Sequence, residues 1–224
     1  MIPIPSRMKE GCKSWEICKS SPMAPNSAVY MRVAGVDDLE SMTKLEREVW
    51  DEEHAASPKV IERRLSANPA STIIAFADGA PKAIGFFTLL GTSHETVSVL
   101  RKWDFYARLA NEPWKSEEVY YGISLTVSRE APRGTGTCIM QAAADYCKWR
   151  GAQKLIAVTR APSYHLFKTS IEFDEYYNGL LQGRIKEPLY FLMCSAGWQL
   201  VGYCADYYDD PQSSDYGLHF EVSM

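Results

Sequence analysis

The sequence has 224 residues, of which 46% are hydrophobic and 12% aromatic, so it carries enough apolar material for one large domain and is not that of a disordered chain. A formal net charge of −4 and a pI of about 5.6 argue against a broad surface for nucleic acid or anionic membranes. No stretch approaches the roughly 18 apolar residues of a membrane span, and the apolar start, residues 1–5, is too short for a signal-peptide core. We therefore expect a cytoplasmic protein without nucleic-acid or membrane partners.

The cysteines carry no metal signature. They show neither a CxxC pair nor the spacing of a zinc site, so we interpret them as reduced thiols and expect no bound metal. A disulfide between Cys12 and Cys18 is the alternative. The six are Cys12, Cys18, Cys138, Cys147, Cys194 and Cys204.

The first 28 residues are rich in Ser, Pro, Lys and Cys and have no apolar period. They are interpreted as a flexible N-terminal tail or an extension of the fold, and the ordered domain is expected to span residues 29–224. Residues 29–33 are typical of a first strand, followed by a turn at Gly35.

Two helices are predicted next. The first is capped by Asp37 or Asp38, and its apolar residues recur every three or four positions up to residue 49. The second begins at Ser57-Pro58, a capping residue followed by proline at the first helical position, and ends at Asn68-Pro69.

The rest of the chain reads as strands with a few helices between them, and no internal repeat or domain boundary is visible. The order predicts an α/β (α+β) domain with a mixed sheet of six to seven strands flanked by helices. The predicted segments are a hairpin of 72–77 and 83–90, a short helix near 100–109, a strand at 119–127, a helix at 138–150, a strand at 155–158, a polar and aromatic stretch at 160–186, a helix at 188–195, and strands at 198–205 and 217–222.

The segment richest in chemistry runs from the strand at 119–127 into the helix that follows it. Its Arg-Gly-Thr-Gly-Thr turn, residues 133–137, can point several backbone N–H groups at one place, because Gly134 and Gly136 let a ligand approach closely. The beginning of a helix adds unpaired N–H groups and the positive end of the helix dipole. The pattern therefore predicts an anion site suited to a pyrophosphate.

Two better-known phosphate loops are excluded. GxxxxGK[ST] is absent because no lysine follows Gly136, and GxGxxG is absent because residue 139 is isoleucine. A Gly-x-Gly between strand and helix, taken alone, is equally well explained as a tight turn.

With its order of elements, this turn resembles the GNAT superfamily of acyl-CoA N-acyltransferases, whose pattern is Gln/Arg-x-x-Gly-x-Gly/Ala. Gly134 and Gly136 match, Arg133 fills a position where the family often has arginine, and Ala131 departs at the first position. The resemblance implies the GNAT acyl-CoA N-acyltransferase fold and acetyl-CoA or another acyl-CoA as co-substrate. The residues it assigns to the pantetheine are Leu125, Thr126 and Val127, and those it assigns to the diphosphate are Arg133, Gly134, Thr135, Gly136 and Thr137.

The second half of the chain looks like the GNAT-like acyl-loading domains of polyketide assembly lines, in segments 158–160, 187–197 and 206–218. Those domains decarboxylate malonyl thioesters or transfer an acyl group to a carrier protein, and they use a threonine, a histidine and an arginine. Thr159 matches the threonine. The histidine position holds Leu192 or Met193 and the arginine position Tyr207 or Tyr208, so the decarboxylase chemistry does not carry over intact.

Four residues are candidates for catalysis or substrate contact. Thr159 is expected beside the thioester, His165 as a base and Tyr190 as an acid near the leaving thiolate. Trp50 is a candidate for substrate contact. Each also has an ordinary explanation: a β-forming residue at a strand end, a solvated loop histidine, and for the two aromatics a packed ring. His54 is interpreted as a solvated residue near a helix end, because no second histidine lies at metal-ligand spacing.

The expected function is transfer of a short acyl group, acetyl above all, from acyl-CoA to an amine or a carrier thiol by a cytoplasmic acyltransferase. The acceptor is a small molecule or a carrier protein, and the protein is a monomer or homodimer. One alternative is a non-catalytic acyl-CoA-binding sensor or adaptor. The other is a malonyl-thioester decarboxylase of the assembly-line type.

Overall fold

One mixed sheet of eight strands organises the chain. The computed structural model describes residues 15–21, 24–77, 80 and 82–224. The strands are β1 (Glu16–Ser21), β2 (Ala24–Val33), β3 (Thr72–Ala77), β4 (Ala83–Thr92), β5 (Val119–Val127), β6 (Lys154–Arg160), β7 (Gln199–Cys204) and β8 (Gly217–Ser223). The predicted α/β class and mixed sheet are confirmed, with eight strands where six to seven were expected.

Within the described residues, seven α-helices flank this sheet. They are α1 (Leu39–Val49), α2 (Pro58–Ala67), α3 (His94–Val97), α4 (Trp103–Leu109), α5 (Thr135–Trp149), α6 (Phe173–Leu181) and α7 (Pro188–Ser195), with 3-10 helices at Val36–Asp38 and Pro162–Leu166. None of the helices in the described ranges is long and apolar enough to cross a membrane.

The strands follow the order β1-β2-β3-β4-β5-β6-β8-β7, and all neighbours are antiparallel except β5 and β6. Helix α5 makes the crossover between these two parallel strands, as the predicted strand-helix-strand unit requires. Ile73 and Ile74 on β3 are both fully buried, Ile73 in the cluster under α5 and Ile74 in the cluster under α1 and α2. The sheet is therefore covered on both faces.

The N-terminal boundary predicted at residue 28 is corrected. Strand β1 pairs with β2 from Glu16 to Ser21, and Trp15 packs edge-on against Tyr146 of α5 with ring centroids 5.2 Å apart. Along this strand, exposed residues lie on either side of Ile17, as is typical of an edge strand. The strand lacks the apolar run that is typical of a central strand. Residues 1–14, including Cys12, lie outside the described residues, and Cys18 is free.

Asp38 has a different role from the predicted cap. Its side chain makes no capping hydrogen bond to α1; it accepts from Arg32 at 2.7 and 2.8 Å and from the Gly35 N–H at 2.8 Å. The cap predicted for the second helix is present, since the Ser57 hydroxyl accepts from the Val60 N–H at 3.3 Å.

The stretch 160–186 contains a helix, α6, that was not assigned from the sequence. Phe173, Tyr176 and Leu180 are buried along it, and Phe173 stacks on Tyr216 with ring centroids 3.9 Å apart. Its aromatic residues lie at helical spacing. Polar residues between them concealed the helix itself.

Glu187 is fully buried and makes hydrogen bonds to three neighbouring segments. Its carboxylate accepts from the Ser163 N–H at 2.9 Å, the Tyr176 hydroxyl at 2.9 Å and the Leu189 N–H at 3.3 Å. Burial together with this carboxylate raises the pKa of Tyr176 far above its usual value. The 3-10 helix after β6, α6 and α7 are thereby held to one another.

We predict that Glu187→Ala lowers the free energy of unfolding by about 3 kcal/mol, because it leaves three donors without their acceptor. Urea denaturation measures the loss. Glu175→Ala, an exposed change on α6, is the matched control and should stay within about 0.5 kcal/mol of the wild type. An equal, small effect of both changes would contradict the role given to Glu187.

Candidate functional site

The two central strands separate halfway along their length. Parallel pairing of β5 with β6 runs from Val119 to Gly122 and stops there, whereas β5 stays paired to β4 as far as Val127 and β6 to β8 as far as Arg160. Ile123 is an extra residue in β5, because Thr88 pairs with Ser124 and Leu89 with Gly122. This bulge turns the strand away from its neighbour. The two strands are therefore no longer paired where β6 reaches Thr159.

Gly122 stands where the separation begins. A Cβ atom there would lie 2.4 Å from the Phe87 ring and 3.3 Å from Ala157. No side chain fits at this position without displacing Phe87, so glycine is required at the base of the gap.

A cavity of about 690 Å³ occupies the gap. Its walls come from the loop after α1, from α2 and α4, from the open ends of β5 and β6, from one side of α7, and from Tyr207 and Tyr208 after β7. This volume is in the range of small-molecule sites in proteins.

The helix that follows β5 begins three residues earlier than predicted, at Thr135. Gly134 precedes it in the left-handed conformation, with φ of 85°, which glycine adopts without strain. The Thr135 N–H donates to the Pro132 carbonyl and the Cys138 N–H to the Gly134 carbonyl. Nothing in the described part of the chain accepts from the N–H groups of Gly136 and Thr137 between them. These groups and the helix dipole would suit an anion, and we call this place the candidate anion site.

This candidate anion site adjoins the cavity. A Cβ atom at Gly136 would lie 3.0 Å from Leu192 Cδ1 and 3.9 Å from Leu125 Cδ2, and both leucines line the cavity. The hydroxyls of Thr137 and Ser195 are 3.3 Å apart. Gly136 thus also allows α7 to pack closely, a structural role that the sequence did not indicate.

Of the three strand residues predicted to present amides, Leu125 lines the cavity, while Thr126 and Val127 do not. Thr126 is fully buried. Its hydroxyl donates to the Glu46 carboxylate at 2.6 Å and accepts from the Trp50 indole N–H at 2.9 Å. The second Glu46 oxygen accepts from the Ala56 N–H at 3.0 Å. Trp50 does line the cavity, in a position fixed by Thr126.

A buried cation also lines the cavity. Arg64 of α2 is 6% exposed, and its Nε donates to the Asn111 side chain at 3.2 Å. Burial lowers the pKa of Arg64 to about 10, and the negative charge of Glu46 opposes that shift. Arg64 therefore stays charged at neutral pH and places a positive charge at the wall.

Thr159 lines the cavity at the open end of β6. Its hydroxyl oxygen is buried and has no hydrogen-bond partner among the described residues. An unpaired buried hydroxyl costs about 1–3 kcal/mol. A β-forming residue at a strand end does not need this hydroxyl, so its presence favours the functional interpretation of Thr159.

The other two catalytic candidates are not brought to the cavity. His165 is exposed, and its Nδ1 lies 2.6 Å from the Pro162 carbonyl. Tyr190 packs near Phe191 and Phe220 on a side of α7 that does not line the cavity, and burial raises its pKa. We do not retain either residue as a catalytic candidate.

Three further residues that line the cavity, His54, Tyr207 and Tyr208, were given no role from the sequence. His54 lines the cavity, although the sequence suggested only a solvated residue near a helix end. The Tyr207 and Tyr121 hydroxyls are 2.5 Å apart, and burial raises the pKa of both. Tyr208 packs edge-on against Trp103. Across the described ranges, no three His, Cys, Asp or Glu side chains form a group that could hold a metal ion.

No family model matches the sequence, and no curated protein does. Solved structures do share its fold. The loading GNATL domain of CurA from Lyngbya majuscula is 18% identical over 87% of this chain and 97% of that one, with a TM-score of 0.74. The GphF GNAT-like decarboxylase in complex with isobutyryl-CoA is 18% identical over 86% and 98%, with a TM-score of 0.69. The GNAT superfamily phosphinothricin acetyltransferase from Sinorhizobium meliloti, in complex with AcCoA, is 16% identical over 88% of each chain, with a TM-score of 0.55. The chain has the GNAT fold.

The two threonines of the site should respond in opposite ways to the same change. Thr126→Val leaves Glu46 without a donor and the Trp50 indole without an acceptor, and should lower the free energy of unfolding by about 2 kcal/mol. Thr159→Val removes an unpaired hydroxyl and should leave stability unchanged or slightly higher. Urea denaturation of the two variants measures the contrast, and a loss at Thr159 as large as that at Thr126 would show that the Thr159 hydroxyl is bonded.

Proposed function

We propose that this protein binds acyl-CoA and transfers its short acyl group, acetyl above all, to an amine or a carrier thiol. The observation that carries the proposal is the junction of the open strand β5 with the beginning of α5, where unpaired N–H groups lie beside a 690 Å³ cavity. A pyrophosphate suits such a helix beginning, and an extended pantetheine arm suits an unpaired strand edge.

In this proposal the thioester lies in the gap between β5 and β6. The strand edge near Leu125 orients the arm, and N–H groups along it polarise the thioester carbonyl. The acceptor attacks the carbonyl carbon with its lone pair, the carbon–sulfur bond breaks, and CoA leaves as a thiolate. The acceptor proton is lost in the same reaction, so a base is required.

The acceptor enters beside Trp50 and is a small molecule or a carrier protein. Trp50 is held by Thr126, and Glu46 holds the loop that follows α1 through the Ala56 N–H. A wall fixed in this way positions an acceptor at little cost in entropy. The protein acts as a monomer or homodimer.

A second candidate, decarboxylation of a malonyl thioester, is favoured by one observation, the buried guanidinium of Arg64 in the cavity wall. A cation there suits the free carboxylate of a malonyl group. In that reaction the bond to the carboxylate carbon breaks, carbon dioxide leaves, and the resulting enolate takes a proton. A non-catalytic acyl-CoA sensor remains the third candidate.

Reversing one charge at the candidate anion site should weaken CoA binding. Arg133 is exposed in the turn before α5, and Arg133→Glu places a carboxylate where the diphosphate binds. We expect a loss of affinity of about ten- to a hundredfold, measured by titration calorimetry with acetyl-CoA. Arg184→Glu, the same charge change in the exposed turn after α6, is the control and should bind as the wild type does. Equal affinity in all three proteins would refute the assigned site.

The products formed from acetyl-CoA and from malonyl-CoA distinguish the three candidate functions. Free CoA that depends on an added amine or carrier supports acyl transfer, carbon dioxide from malonyl-CoA supports decarboxylation, and tight binding with neither product supports a sensor. For a decarboxylase we expect Arg64→Met to raise the KM for malonyl-CoA about tenfold or more. Its neighbour Arg63, exposed and paired with Glu112, gives the control Arg63→Met. An unchanged KM in both variants would exclude Arg64 as the carboxylate partner.

A further inference from the structure

A histidine and an aspartate form a pair in the loop between α1 and α2. The His54 Nδ1 lies 2.6 Å from the Asp51 carboxylate, and the His54 backbone N–H donates to the same carboxylate oxygen at 3.0 Å. A carboxylate only accepts hydrogen bonds, so Nδ1 carries a proton, and in the neutral ring Nε2 has the lone pair. This hydrogen bond lowers the pKa of Asp51, which stays ionised.

Of this pair, His54 faces the cavity. His54 lines it and is 30% exposed, whereas Asp51, on the outer side, is 68% exposed. No group in the described part of the chain bonds to His54 Nε2. This ring nitrogen is therefore available to a molecule inside the cavity.

A row of aromatic rings connects His54 with the point where β5 leaves β6. The His54 ring packs on Tyr208 with centroids 6.0 Å apart, and Tyr208 packs edge-on against Trp103 at 5.3 Å. The Trp103 indole N–H donates to the Ile123 carbonyl at 2.8 Å, at the bulge itself. His54 and the open strand are thus parts of one packed wall.

The other side chains in the cavity wall that could accept a proton are less well placed than His54. The two oxygens of Glu46 already accept from Thr126 and from the Ala56 N–H. Glu53 and Asp104 are exposed carboxylates at the rim. His54 is the one imidazole among the lining residues, and it is held in a defined orientation by a second side chain.

We propose that His54, positioned by Asp51, is the base that removes the proton from the acceptor, a role that rests on the acyl transfer proposed above. His54 Nε2 takes the proton of an ammonium or a thiol that enters past the α1–α2 loop. The freed lone pair bonds to the thioester carbon, and the carbon–sulfur bond breaks. The CoA thiolate takes up the proton from the imidazolium, and where the acceptor is an amine, its second proton passes from the acylated nitrogen through the neutral His54 to water. Asp51 is a positioning residue that holds the ring and stabilises its charged form.

Affinity labelling with bromoacetyl-CoA tests this geometry without a known acceptor. The reagent places an electrophilic carbon next to the thioester, and His54 Nε2 should displace bromide to give a CoA-acetyl adduct, mapped by peptide mass spectrometry. Excess CoA should prevent the adduct. Adducts on the exposed Cys18 and Cys194 that persist in excess CoA count as non-specific.

Variants of the full-length chain assign the two roles. His54→Gln should lose the protected adduct, and His165→Gln, the same change outside the cavity, should keep it. Asp51→Asn should slow labelling about tenfold, the rate equivalent of one charge-assisted hydrogen bond. Asp51→Glu should recover part of that rate, which a loop that had merely lost its structure would not do.

Each outcome decides between the two proposals. A wild-type protein that binds CoA by calorimetry but carries its protected adduct elsewhere, or carries none, overturns the role of His54 alone. A wild-type protein that binds no CoA overturns both the acyl transfer and the base. Equal labelling in the wild type and Asp51→Asn removes Asp51 from the mechanism.

Discussion

The separation of β5 from β6 is the constraint on which the site depends. A sheet is most stable when its backbone groups are paired, and strands in the middle of a sheet seldom leave theirs open. Here the bulge at Ile123 turns β5 away, and Gly122 lets the Phe87 ring cross at the base of the gap. Trp103 satisfies one carbonyl of the open edge with its indole. An extended ligand with amide groups is the natural partner for the rest.

The part of the cavity wall around Trp50 is attached to this strand by side chains. Thr126 of β5 binds Glu46 and Trp50, and Glu46 in turn binds the backbone at Ala56. A carboxylate that is only 2% exposed is stable only with such partners. The network therefore fixes the loop after α1 relative to the open strand. Residues separated by about eighty positions in sequence become one rigid surface.

Regular periodicity made most of the fold predictable. Apolar spacing predicts the helices α1, α2, α5 and α7 and the strands around them. Residues that begin a helix, such as Ser57-Pro58, also predict them, because both kinds of signal are local in sequence. Strand β1 is a partly polar edge strand and α6 a short helix whose polar residues hide its apolar face, so both were missed. The glycine turn before α5 was predictable, since glycine spacing is local as well, and its binding of a phosphate stays a prediction. His54 was not, because its place in the cavity depends on a tertiary contact with Tyr208.

The polar groups that line the cavity differ in whether the protein supplies their hydrogen-bond partners. The fold alone therefore does not define the chemistry of the cavity. Glu46 has its hydrogen bonds within the protein, whereas the Thr159 hydroxyl has no partner in the part of the chain that the structure describes. Arg64 retains its charge despite burial. A polar group whose hydrogen bonds are made within the protein stabilises the fold. A polar group beside a cavity that lacks such bonds is stabilised only when a ligand binds. If the cavity binds a thioester, as we propose, the hydroxyl of Thr159 and the charge of Arg64 are the groups of this wall whose surroundings change most, and the carboxylate or plain acyl end of the ligand determines which of the two it contacts.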